Sequence, residues 1–108
     1  MAYDEKLADR VRELVADRPI TEKKMFGGLS FLLNGNMAVG IHKDSLMVRV
    51  GSDEADAVLA EPGARIFDMG GRPMKNWVLV DQQVLADEAD LRRWVARGLE
   101  YAATFPPK

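Results

Sequence analysis

Two short stretches of the sequence carry side chains that could bind an anion together. Lys23 and Lys24 come shortly before one glycine pair, and Arg72 follows directly after a second pair. Ammonium and guanidinium groups, with the amides of glycine loops, are the donors that phosphates and carboxylates prefer. If the fold joins the two stretches, we expect a site for an acidic peptide or a phosphate, and otherwise solvated strand ends. The candidate binding residues are Lys23, Lys24, Gly27, Gly28, Arg72, Lys75 and Asn76.

Neither glycine pair matches a nucleotide-binding motif. Gly27-Gly28 and Gly70-Gly71 lack the spacing of the dinucleotide fingerprint and of the P-loop. Neither pair obviously opens a helix whose N-terminus would meet a phosphate. Turn geometry is the simpler explanation, because glycine adopts backbone angles that a Cβ atom disfavours.

The only histidine, His42, lies close to Asp44 and Ser45. A catalytic triad requires the base to point at the serine and the carboxylate to orient the base, which neighbours in one turn rarely achieve. A turn is therefore the preferred interpretation, and we predict no catalytic residues and no enzyme activity. The chain contains no cysteine, so one histidine and carboxylates are the remaining metal ligands. We expect neither a metal nor a cofactor.

Length and composition are those of a single soluble domain, 1–108. The chain has 108 residues, of which 47% are hydrophobic and 30% charged, with a net charge of −2. No overall positive field would attract nucleic acid or an anionic membrane. The sequence contains no apolar run of membrane-spanning length and no signal-peptide core at its start. A cytoplasmic location is the expectation.

The hydrophobic pattern predicts the elements that hold these residues. Apolar residues at helical spacing predict a first helix over 3–18 and a last helix that Asp87 caps, with Gly98 in close contact with the sheet. Alternation of apolar and polar residues predicts a hairpin over 29–41 and a third strand, Ser45–Val50. A short helix over 52–60 and strands at 64–69 and 77–80 complete the set.

The hairpin register follows from the requirement for one apolar face. A three-residue loop, Asn34-Gly35-Asn36, pairs Leu33 with Met37, Phe31 with Val39 and Leu29 with Ile41. A two-residue turn at Lys43-Asp44 then pairs Ile41 with Leu46, Val39 with Val48 and Met37 with Val50. Because a one-residue slip would expose half of this set, we predict the three-residue loop with a bulge.

The element order predicts an α+β fold. Helix, three strands, helix, two strands and helix form a two-layer sandwich, with one antiparallel sheet and the helices on one face. The arrangement is abbreviated α-β3-α-β2-α.

Two segments resemble one protein family. Lys24-Met25-Phe26-Gly27-Gly28 with the following hairpin, and the segment 71–78 (Gly-Arg-Pro-Met-Lys-Asn-Trp-Val), resemble the N-terminal domain of the TfoX/Sxy family of bacterial competence regulators. The segment from Leu91 to Ala102 is similar too, so the resemblance covers nearly the whole chain. It implies the same order of elements and a fold like that of secretion chaperones.

The resemblance also implies a function. Full-length family members help the cyclic-AMP receptor protein to activate DNA-uptake genes, and they carry a further C-terminal domain resembling helix-hairpin-helix modules, which these 108 residues do not contain. A lone N-terminal domain need not regulate competence. We therefore expect a non-enzymatic regulatory domain that binds another protein, with a transcription regulator as one candidate partner and a homodimer as another. Direct DNA binding by this domain alone and membrane association are not expected. The alternative is a nucleic-acid-binding or anionic-ligand-binding module that uses the basic cluster.

Overall fold

The computed structural model describes residues 3–25, 28–51, 53–69 and 72–107. Within these ranges the chain forms six strands and four helices. In chain order they are α1 (Glu5–Leu14), β1 (Ile20–Met25), β2 (Gly28–Leu33), β3 (Asn36–His42), β4 (Ser45–Arg49), α2 (Ala55–Leu59), β5 (Ala64–Met69), β6 (Arg72–Val80), α3 (Gln82–Leu85) and α4 (Glu88–Ala102).

The strands form one antiparallel sheet in the order β1-β2-β3-β4-β6-β5. All four helices contribute side chains to a single main core together with one face of the sheet, and α4 packs on β3 and β4 at its centre. The predicted α+β class with one antiparallel sheet is therefore confirmed. The likeness to secretion chaperones stays a prediction.

The predicted count of five strands is wrong, because the sheet begins with an additional edge strand, β1. Four of its six residues, 21–24, are polar and exposed, so the sequence shows no apolar alternation there. β6 is also longer than the predicted strand 77–80, and the short helix α3 was not predicted. Ser52, with which the predicted short helix begins, and the predicted turn at Gly70-Gly71 lie outside the described residues.

The central hairpin confirms part of the predicted register and corrects the rest. Leu29 pairs with Ile41 and Phe31 with Val39, as predicted, but the register then shifts and Leu32 pairs with Met37. The shift leaves Ala38 as an extra residue in β3. Asn34 and Gly35 both have positive φ, 51° and 85°, which is the conformation of a tight two-residue turn. The predicted three-residue loop is wrong.

The bulge moves Met37 to the face of the sheet opposite the helices. There it packs against a second, smaller core that contains Met47, Phe67 and Leu79. The predicted pair of Met37 with Val50 is therefore wrong, since Val50 lies in the main core. The other two predicted pairs of β3 with β4, Ile41–Leu46 and Val39–Val48, are confirmed.

The caps of the two longer helices agree with the sequence. Asp4 accepts hydrogen bonds from the amides of Lys6 and Leu7, although α1 ends at Leu14 rather than at residue 18. Asp87 accepts from the amides of Ala89 and Asp90 at the start of α4. None of the helices in the described ranges combines the length and the apolar character that crossing a membrane requires.

Candidate functional site

The structure does not bring the two predicted basic stretches together. Lys23 and Lys24 lie on β1 at one edge of the sheet, whereas Arg72, Lys75 and Asn76 lie on β6, with three strands between them. Four steps of about 4.8 Å between strands separate β1 from β6 by about 19 Å. The single basic cluster that the sequence suggested does not form across these strands.

The two stretches also lie at opposite ends of their strands. The register places Lys24 in one row with Leu29, Ile41, Leu46 and Val80, where β6 ends. Arg72 and Lys75 lie at the other end of β6, five residues or more from that row, which adds about 17 Å or more along the strand.

Two of the remaining predicted residues, Gly28 and Asn76, contribute to the pairing of neighbouring chain segments. A Cβ atom at Gly28 would lie 2.0 Å from the carbonyl oxygen of Ile41, so glycine permits the close approach of β2 to β3. The carbonyl of Asn76 accepts a hydrogen bond from the amide of Val50 at 2.9 Å. Gly27 lies outside the described residues, as do the side chains of Arg72 and Lys75. A binding role for these residues stays a prediction.

β1 is a regular and exposed sheet edge. It pairs with β2 over six consecutive residue pairs without a register shift, and no described strand lies on its outer side. Lys23 and Lys24 are exposed, and neither forms an ion pair with a side chain that the structure describes. Glu22 is bound by Arg12 of α1 at 2.8 Å, and this hydrogen bond lowers the pKa of Glu22 despite its partial burial. The two lysines are therefore the uncompensated charges of this edge.

The opposite edge, β5, is less regular. Its pairing with β6 shifts between Ile66 and Phe67, and such a bulge interrupts the ladder that another strand would extend. Arg65 of β5 is occupied by Asp81, at 2.7 Å, and by the Ser45 hydroxyl, at 3.4 Å. Of the two edges, β1 is thus the better template for a further strand.

His42 and Ser45 face each other across the β3–β4 turn but contact different groups. His42 packs edge-to-face on Phe67, with ring centroids 5.3 Å apart, and its Nδ1 atom is buried without a described hydrogen-bond partner. Burial, with a smaller effect of the Lys43 charge, lowers the pKa of His42. Because Ser45 accepts a hydrogen bond from Arg65, the histidine and the serine are engaged separately. Within the described ranges, no three histidine or acidic side chains come together as metal ligands would.

A groove of about 780 Å³ lies between α4 and the segment 53–61 that carries α2. The groove was not predicted from the sequence, although the residues of α4 that line it recur at helical spacing beside the buried stripe. The α4 wall consists of Arg93, Ala96, Arg97, Glu100 and Tyr101, continued by Thr104 just beyond the end of the helix. The i, i+3, i+4, i+7, i+8, i+11 spacing of these residues is the signal that could have indicated a second used face of this helix.

An ion-pair network lines one end of this groove. Glu61 binds Arg93 and, at 2.7 Å, Arg97, while Arg93 also reaches Asp90 at 3.4 Å. Burial alone would raise the pKa of Glu61, but the hydrogen bonds from the two arginines lower it overall. Both guanidinium groups also lie over the ring of the buried Trp94, at 5.3 and 4.6 Å.

A family model described as the TfoX N-terminal domain matches residues 12–102. The chain belongs to the TfoX N-terminal domain family. The resemblance inferred from the sequence is thereby confirmed, and the match includes the β1 edge and the residues that line the groove except Thr104. No curated protein and no solved structure matches the chain significantly. The TfoX N-terminal domain is not a known enzyme family, and membership indicates a regulatory domain.

Proposed function

We propose that this protein is a non-enzymatic regulatory domain that binds an acidic, extended segment of a partner protein along β1. Membership of the TfoX N-terminal domain family supports the regulatory role. The observation that carries the binding mode is the regular outer edge of β1 with its two uncompensated lysines. A transcription regulator as the partner, and a role in competence, are proposals that rest on the resemblance alone.

Strand addition explains how such an edge would bind. Alternate backbone N–H and C=O groups of an edge strand point outward, and an extended peptide satisfies them as a further strand would. Successive side chains of a strand point to opposite faces, so Lys24 lies on the helix side with Glu22, and Lys23 lies on the other side. A complementary segment therefore carries two consecutive acidic residues, one for each face.

The same lysines disfavour pairing of β1 with a second copy of itself. An antiparallel pair of identical β1 strands centred on Lys23 would bring two lysines together, while Glu22, which would lie opposite Lys24, is already bound by Arg12. Lysine on an edge strand is also a common means of preventing self-association. The charge pattern thus selects an acidic partner strand over a homodimer at this edge. A homodimer through another surface stays an untested prediction.

The test is the affinity of the domain for two blocked hexapeptides, Thr-Val-Glu-Glu-Val-Thr and Thr-Val-Lys-Lys-Val-Thr. We expect the glutamate peptide to bind about tenfold more tightly at low salt, since exposed ion pairs contribute about 0.2–1 kcal/mol each. NMR titration measures both affinities. Equal affinities, or no binding of either peptide at millimolar concentration, would refute the proposal.

A charge reversal supplies the matched control. Lys23→Glu with Lys24→Glu should exchange the peptide preference, because both complementary charges are inverted on the same backbone. Lys6→Glu with Arg92→Glu changes the net charge equally at two exposed helix positions away from β1 and should preserve the preference. A loss of preference in both double variants would attribute the effect to net charge instead of the edge.

The alternative function, binding of nucleic acid or of a small anion at one basic cluster, is not supported by the geometry of the sheet. That alternative required Lys23 and Lys24 to lie beside Arg72 and Lys75, and the strand order separates them. The net charge of −2 gives no additional attraction for a polyanion.

A further inference from the structure

We propose that the groove between α2 and α4 binds a basic helix of a partner protein. This surface is distinct from β1, because α2 packs on β5 and β6 at the far side of the sheet. The inference is independent of the proposed function at β1, and either can fail without the other.

The shape of the groove suits a third helix. The helical part of its α4 wall runs from Arg93 to Tyr101, and these eight residue steps extend about 12 Å, or about two turns, with Thr104 just beyond the end of the helix. Ala57 of α2 and Ala96 of α4 both line the groove, and such small side chains let another helix approach to the usual interaxial distance of about 8–10 Å. The groove has a volume of about 780 Å³.

The charges of the groove differ between its two ends. At one end the two arginines are matched by Glu61 and Asp90, so this network is neutral as a whole. Towards the other end lie Asp53, Glu54 and Glu100, and none of these three carboxylates forms an ion pair with a described side chain. An occupant is therefore expected to place lysine or arginine at this end and small apolar residues over the alanines.

Helix capping does not account for these carboxylates. Glu54 occupies the N-cap position of α2, but its side chain accepts no hydrogen bond from the helix amides. Glu100 lies two residues before the C-terminal end of α4, where a negative charge is unfavourable to the helix dipole. A cationic partner would offset the repulsion among the three groups.

The test uses a 15-residue alanine-based helical peptide with three lysines at i, i+4 and i+8, and the same peptide with glutamates instead. We expect NMR titration to show binding of the lysine peptide with shifts confined to residues 53–61 and 93–104. The triple variant Asp53→Asn, Glu54→Gln and Glu100→Gln should weaken this binding about tenfold. Equal binding of both peptides, or undiminished affinity of the triple variant, overturns the proposal.

A matched triple variant and a steric variant separate the groove from net charge and from misfolding. Glu5→Gln, Glu13→Gln and Asp17→Asn remove the same charge from α1 and the turn after it, and should leave the affinity within twofold. Ala96→Trp fills the groove from an exposed position of α4 and should abolish binding, with an unchanged circular dichroism spectrum.

Sedimentation of the free domain identifies the competing occupant. A concentration-dependent dimer that Ala96→Trp dissociates would assign the groove to a second copy of this chain and overturn the proposal. A monomer that binds the lysine peptide, and loses it in Ala96→Trp, supports it.

Discussion

Replacing Gly98 by alanine has two opposite effects on stability, one from helix propensity and one from packing. Gly98 lies within α4, where propensity alone predicts that alanine stabilises the protein by about 1 kcal/mol. A Cβ atom at this position would, however, lie 2.5 Å from the carbonyl oxygen of Ala38 and 2.6 Å from Cγ1 of Val39. Carbon atoms settle at about 3.5–4.0 Å, so α4 would have to move by roughly 0.9 Å from the central strand β3.

The packing effect should exceed the propensity effect. Overpacking of this kind costs about 1–3 kcal/mol, and the upper end applies because the obstacles are the strand backbone at Ala38 and the stiff, β-branched side chain of Val39. After subtraction of the propensity gain, Gly98→Ala should lower the free energy of unfolding by about 2 kcal/mol. For a domain of this size the melting temperature would fall by about 8–16 °C.

Thermal and urea unfolding, monitored by circular dichroism, measure this effect. Ala96→Gly, at an exposed position of the same helix, calibrates the propensity effect and should lower the stability by about 1 kcal/mol. A rise in melting temperature for Gly98→Ala would show that α4 does not contact β3 as closely as described, and would refute the reasoning.

Three further predictions concern single side chains. Burial, and to a smaller extent the charge of Lys43, lower the pKa of His42, so folding favours its neutral form. The resulting contribution to stability is complete above about pH 6.5 and is lost as the pH falls towards the lowered pKa. His42→Gln should therefore reduce the change in melting temperature between about pH 7 and pH 5. The hydrogen bond from Arg12 lowers the pKa of Glu22, so the contribution of this ion pair to stability is present above about pH 4.5 and is lost in acid. Glu22→Gln should destabilise the protein by less than about 1 kcal/mol at pH 7. Melting temperatures measured over a pH series should show no difference between the variant and the original protein at the lowest pH. Gly35→Ala should cost about 1–2 kcal/mol in urea unfolding, because φ of Gly35 is 85°; an unchanged midpoint would contradict the two-residue turn.

The core of the sheet could be predicted because burial leaves a pattern. Phe31 pairs with Val39 and Leu29 with Ile41, as the alternation required, since these side chains share the face that the helices cover. The turn could not be predicted from that pattern. The bulge at Ala38 adds one residue to β3, so a two-residue turn gives the same pairing of Phe31 with Val39 as the predicted three-residue loop. The two positive φ angles at Asn34 and Gly35 make the tighter turn accessible.

The edge strand β1 could not be predicted, for the opposite reason. An exposed edge has no buried face to impose alternation, and residues 21–24 are polar throughout. The backbone pairing with β2 holds this strand in the sheet, with Ile20 packed against the main core at its start.

The candidate site depended on strand order, which local sequence does not encode. Lys24 and Arg72 each follow from recognisable motifs, but their separation by three strands is a property of the whole sheet. The α4 side of the groove could have been predicted in part, because Ala96, Glu100 and Tyr101 recur at helical spacing. The partner segment that carries α2 could not be assigned to that face without the fold.

Backbone amide exchange of β1 in the presence of the Thr-Val-Glu-Glu-Val-Thr peptide tests the central claim most directly. We predict that saturating peptide slows the exchange of the outward amides of residues 20–25, while the amides at the β5 edge are unchanged. Unaltered exchange along β1 at saturation, or slowing confined to another surface, would contradict strand addition as the way in which this domain binds its partner.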